Sequence, residues 1–132
     1  MILHKSNYVE IYWEEENSLI IDKFLLMSID MSPEEFKEEM IIFVEMCEKY
    51  MPEKELVHLL DMRFAIGVDE QTWMNEVIFP RYADIIKRMA FLVPRDFITE
   101  LSVEQTMEEE IGSKFVQKYF DSEEEARNWL MK

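Results

Sequence analysis

A chain of 132 residues is close to the size of one domain, and a split would leave each half short of core. With 48% hydrophobic and 13% aromatic residues it can fill an interior, and its net charge of −15, from 29 acidic against 14 basic side chains, repels phosphate, so neither nucleic acid nor a membrane surface is expected as a partner. No apolar run approaches the about 20 residues that span a bilayer, the N-terminus lacks the features of a secretory signal, and the single cysteine, Cys47, excludes an internal disulfide framework; the expected location is the cytoplasm.

The stretch from Tyr8 to Trp13 is rich in β-branched and aromatic residues, Glu14 to Ser18 interrupts it, and Leu19 to Phe24 resumes the same chemistry. That pattern predicts a β-hairpin with a loop of moderate length. Ser32-Pro33-Glu34-Glu35 then places a hydroxyl at an N-cap, proline at the first helical position and glutamate at the third, a capping box. Phe36, Met40, Phe43, Val44, Cys47 and Met51 follow at spacings of three and four and mark the buried face, until Pro52 stops the helix. Ile42 falls almost opposite that face, among Glu38, Glu45 and Lys49 with Met46 at the flank, so an exposed apolar spot is expected there. It is either an ordinary exposed isoleucine or, with Met46, the centre of a homodimer or protein-partner interface.

Leu56 to Leu60 is a short, nearly continuous apolar run, as expected of a central strand covered on both faces. After Gly67, Asp69 is placed to cap a second helix carrying Trp73, Val77 and Ile78, which Pro80 breaks or kinks before Tyr82, Ile85 and Ile86. Met89 to Val93 predicts another buried strand ended by Pro94. Ser102 to Gln105 offers a second capping box, opening a short acidic helix that Gly112 ends; Phe115 to Phe120 reads as a strand, and Asp121 to Glu125 caps a last helix with Ala126, Trp129 and Leu130. The order predicts a single α/β domain over residues 1–132 with the later strands parallel. Irregular stretches are expected around Asp61 to Val68 and Pro94 to Leu101, after the carboxyl ends of central strands, where ligand crevices form.

Asp61 and Arg63 lie just past the Leu56 to Leu60 strand, with Glu70 and Trp73 shortly beyond. An acid and a guanidinium at a strand end can hold a polar ligand or partner, with the indole as an apolar wall. The same residues can equally form a pair that caps the loop. His4 and His58 have no ligand spacing with each other or with Cys47, so no metal centre is expected. The only glycines, Gly67 and Gly112, exclude a phosphate-cradling loop and a dinucleotide fingerprint, and no cofactor is expected. Choosing an acid/base pair among so many carboxylates would be arbitrary, so no catalytic residue is assigned. The 11 methionines serve as core filler or line an adaptable binding surface.

The opening hairpin, the Leu56 to Asp61 strand, the Trp73 helix broken at Pro80, the Lys87-Arg88-Met89-Ala90 approach to the next strand, and the ending Tyr119-Phe120-Asp121 with Glu125-Ala126 and Trp129-Leu130 resemble the STAS superfamily, specifically its SpoIIAA-like branch. The resemblance implies a mixed four- or five-stranded sheet covered by about four helices, in a non-enzymatic module that binds a protein partner or a small ligand. Antagonists of anti-sigma factors in this superfamily carry a phosphorylated switch serine after an aspartate. Asp61 matches the aspartate, but Met62 and Arg63 stand where the hydroxyl should be, so the resemblance does not carry the phosphoswitch over. The expected function is a non-catalytic binding module using Asp61 to Trp73 and an adjoining helix. The alternative is a small-molecule or lipid carrier whose methionine- and aromatic-lined cavity holds an apolar ligand, and an enzyme using Asp61 or Glu70 as base ranks third.

Overall fold

The computed structural model describes residues 1–100, 109–111 and 115–132. The hairpin forms as β2 (Val9–Glu14) and β3 (Leu19–Phe24), antiparallel with Val9 opposite Phe24 and Glu14 opposite Leu19. Along β2 the buried Val9, Ile11 and Trp13 alternate with half-buried neighbours, which is the strand period of two. A short 3-10 turn (Glu15–Asn17) joins the strands and ends on Ser18, whose φ of 50° is left-handed. A preceding strand, β1 (Ile2–Lys5), pairs antiparallel with β2; four residues are too few for a legible alternation.

Helix α1 (Pro33–Tyr50) starts on the expected capping box: Ser32 Oγ accepts from the Glu35 N–H at 3.1 Å and Glu35 Oε1 accepts from the Ser32 N–H at 2.9 Å. These bonds satisfy donors that a helix start would otherwise leave unmade. At the other end Met51 takes a left-handed conformation, φ 52°, and its N–H donates to the Cys47 carbonyl at 2.8 Å. Pro52 follows and cannot continue the helix.

The remaining strands are β4 (Lys54–His58), β5 (Arg88–Leu92), β6 (Glu109–Ile111) and β7 (Phe115–Phe120). The described residues form a seven-stranded mixed sheet in the order β1-β2-β3-β4-β5-β7-β6, not one of four or five. β3, β4, β5 and β7 run parallel, while β6 pairs antiparallel with β7 at the edge. The extra strands are the edge strands β1 and β6. The β6 residues fall within the acidic helix expected from Ser102 to Gly112; Ser102, Gly112 and the rest of that segment lie outside the described residues.

Between β4 and β5 runs a helical segment of α2 (Val68–Trp73), a π-helical turn (Met74–Ile78) and α3 (Phe79–Tyr82). Its N-cap is Gly67, one residue before the helix and two before the expected Asp69; Glu70 Oε1 accepts from the Gly67 N–H at 3.1 Å. Pro80 has no N–H to return to the preceding turn, and the chain accommodates it with the π turn instead of a break. Where an irregular stretch is expected after Pro94, the described residues form a short helix, α4 (Arg95–Glu100).

Helices cover both faces of the sheet. The α1 side holds the larger core, including Ile11, Ile20, Phe36, Phe43 and Met89. On the opposite face α5 (Glu123–Leu130) packs Ala126, Trp129 and Leu130 on Leu19, Leu56, Ala90 and Leu92. Arg127 fastens α5 to β2, its Nη1 and Nη2 donating to the two Glu14 oxygens at 3.1 and 3.0 Å. Among the described residues no helix is long and apolar enough to cross a membrane.

Candidate functional site

A cavity of about 850 Å³ lies between the sheet and the α1 side of the molecule, within the size range of small-molecule sites. Sheet register builds its floor. Ile20 of β3, Glu55 of β4, Met89 of β5 and Gln117 of β7 stand in one cross-strand row, and Asp22, Val57, Phe91 and Tyr119 in the next. Side chains two apart on a strand share a face, so Asp22 is turned inward with Ile20 and Phe24, and Glu55 with Val57. The roof is Phe36, Met40 and Phe43 of α1 together with Met74, Ile78 and Tyr82 of the helical segment. Met62, Phe64 and Ile66 after β4, and Pro94, Asp96 and Phe97 after β5, surround the mouth. The opening therefore lies at the carboxyl ends of the parallel strands, where crevices are expected in such sheets.

Two acids sit in this apolar floor. Asp22 is 3% exposed and Glu55 2%, and neither Asp22 Oδ1 nor Glu55 Oε1 has a hydrogen-bond partner among the described residues. Buried polar atoms are nearly always bonded, so an unpartnered pair needs an explanation. Burial, reinforced by the charge of Glu39, pushes the Asp22 carboxyl up to about 8. Burial, reinforced by Asp22, holds Glu55 well above the usual carboxylate range. The desolvation of the charged form is the dominant cause in both; Asp22 is therefore largely protonated at neutral pH, and burial favours the protonated form of Glu55. Burial likewise raises the Cys47 thiol and the Tyr82 phenol, both beside this pair.

Asp61, Arg63, Glu70 and Trp73 do not line the cavity, although their neighbours Met62, Phe64, Gln71 and Met74 do. The stretch from Met62 to Phe64 alternates, sending its apolar side chains inward; Phe64 stacks on Phe36 with ring centroids 4.9 Å apart. Arg63 points outward and donates to the Leu60 and Met62 carbonyls at 3.4 and 3.1 Å, while its N–H donates to Ser28 Oγ at 2.7 Å. It fastens its own loop and forms no ion pair with Asp61. Glu70 serves the helix start, and the Lys37 ammonium lies 5.7 Å from the Trp73 ring centre.

Ile42 and Met46 are half-buried and pack against the larger core, which corrects the exposed spot expected on α1. Glu35 and Glu39 on that flank bond Tyr8, Ser6 and His4, so the flank lies over the β1–β2 end of the sheet. The buried arc of α1 is wider than one stripe for that reason. His58 lies near Glu123, Nε2 4.0 Å from Oε1, and its Nδ1 has no hydrogen-bond partner among the described residues.

Sequence reasoning missed Asp22 and Glu55. A signal existed: each carboxylate occupies a position two residues from apolar side chains on a central strand, where a solvated acid has no place. No cluster of His, Cys, Asp and Glu among the described residues is arranged to hold a metal ion. No family model, curated protein or solved structure matches this chain.

Proposed function

We propose that the protein is a STAS-like binding module whose ligand is a small molecule held in the cavity between sheet and helices. The observation that carries this reading is the cavity itself: about 850 Å³, lined mostly by methionine and aromatic side chains, with two acids in its floor that each keep one oxygen without a partner among the described residues. Apolar walls with a few convergent polar groups are the pattern of small-molecule sites. The leading hairpin and the strand–helix alternation ending on a helix support the STAS-like assignment, and a cytoplasmic location fits the buried free thiol of Cys47. A protein partner remains compatible with this role, but the site is better matched to a ligand that enters at the carboxyl ends of β4 and β5.

The test uses N-phenyl-1-naphthylamine, a neutral apolar dye that brightens on leaving water. It is expected to bind saturably at one site, and Met74→Trp, which fills the space under the π turn, is expected to abolish binding while the circular dichroism spectrum is retained. Leu59→Trp provides a second filled variant. Absence of binding, or binding indifferent to both substitutions, would remove the cavity as the site. A second reading is favoured by the buried acids alone: a carboxyl titrating near neutral pH is suited to proton transfer. Conversion of a bound small molecule, in place of its recovery unchanged, would identify it.

A further inference from the structure

We infer that the ligand is an amphipathic organic amine whose ammonium sits on the Asp22–Glu55 pair while its apolar body fills the aromatic end of the cavity; this rests on the small-ligand reading above. The described lining contains the carboxyls of Asp22, Glu55 and Asp96 and no lysine, arginine or histidine. An anionic head group would be buried beside acids with no basic side chain in the described lining to neutralise it. A neutral alcohol brings one O–H donor, whereas an alkylammonium brings three N–H donors to a floor with two unpartnered oxygens. Charge-assisted hydrogen bonds are about twice as strong as neutral ones. Aromatic side chains above the floor, Phe43 and Tyr82 among them, suit a cation as well as an apolar chain. The charge of −15 raises the local concentration of cations around the molecule.

Binding is then coupled to a proton. With the pair protonated, a buried ammonium is neutralised only if one carboxyl ionises. The ammonium keeps its own protons, the carboxyl O–H bond breaks, and one proton leaves to solvent. The titratable groups facing the pair are Glu39 and Cys47 from α1, Tyr82 from α3 and Tyr119 from β7; β5 contributes Met89 and Phe91 only. Glu39 is bonded to Ser6 and His4, and burial holds Cys47 and Tyr82 protonated. The carboxyl pair is therefore the proton source.

The probes are n-octylamine, 1-octanol and octanoate, titrated calorimetrically into the full chain in buffers of different ionisation enthalpy. Octylamine is expected to bind at least about tenfold tighter than octanol, as a charge-assisted bond replaces a neutral one, and octanoate is expected not to compete. Between about pH 6 and about pH 7 octylamine binding should release close to one proton and tighten about tenfold. The double substitution Asp22→Asn, Glu55→Gln should erase the preference and the proton release while N-phenyl-1-naphthylamine still binds, which reports an intact cavity. Equal affinity for amine and alcohol, absence of proton release, or a preference surviving the double substitution would overturn the inference. If the neutral dye binds and the amine shows no advantage, the inference fails alone; if no probe binds, the cavity reading fails and takes the inference with it.

Discussion

Asp22→Asn isolates the most consequential group in the molecule, because asparagine keeps the shape and cannot ionise. The native carboxyl titrates near 8 against an ordinary value of 3.8. An acid whose native pKa is raised contributes stability that is fully present below its unfolded pKa and is lost as pH rises to its native pKa. Between those limits the unfolded chain gives up a proton that the native state retains, so stability falls by about 1.4 kcal/mol per pH unit. From about pH 5 to about pH 8 the loss attributable to Asp22 is about 4 kcal/mol, large beside the 5–15 kcal/mol of a typical domain. Urea unfolding of both proteins across that range checks it: the advantage of the Asn variant should grow steadily with pH and level off above about 8. Glu55 remains in both proteins, so the difference reports Asp22 and its coupling to Glu55. A difference that is flat with pH would mean that Asp22 is ionised and solvated in the native state, and the account of the cavity floor would be wrong.

Met51→Gly is expected to stabilise the protein by about 1 kcal/mol in urea unfolding, since Met51 is exposed and holds a left-handed conformation that glycine adopts without strain; destabilisation would refute this. Arg127→Ala should lower stability by about 1 kcal/mol, a modest effect because the pair with Glu14 is about one-third exposed. The Arg127 guanidinium holds the Glu14 carboxyl below its ordinary value of 4.5; that contribution is present above the unfolded pKa and lost as pH falls through the native one, so the gap between wild type and variant should close in acid. Ile42→Glu should destabilise by about 1–3 kcal/mol, as expected for an unpaired charge placed against the core and beyond the 0.5 kcal/mol typical of surface sites; a change within that surface range would return Ile42 to the solvent.

The sequence by itself determined the local chemistry. Ser32, Pro33 and Glu35 specify a helix start whatever surrounds them, since the capping bonds join residues three apart. The strand period of β2 is likewise legible, as is the helix period of α1 from Phe36 to Cys47, though Met51, expected on the same buried face, is exposed at the C-cap; so is the placement of a crevice after β4 and β5, which follows from parallel topology. Only the tertiary structure decided which side chains meet in that crevice. In β3, Leu19, Ile20, Ile21 and Asp22 are all buried, because helices cover both faces of the sheet, and a strand buried on both faces has no polar side to reveal where an acid points. The pairing of Asp22 and Glu55 depends on the β3–β4 register, and the burial of Ile42 depends on the sheet end beneath its flank. Both are contacts between segments far apart in the chain. Spacing along one segment carries no information about them, so the residues chosen from the loop after β4 lay one position away from the side chains that line the cavity.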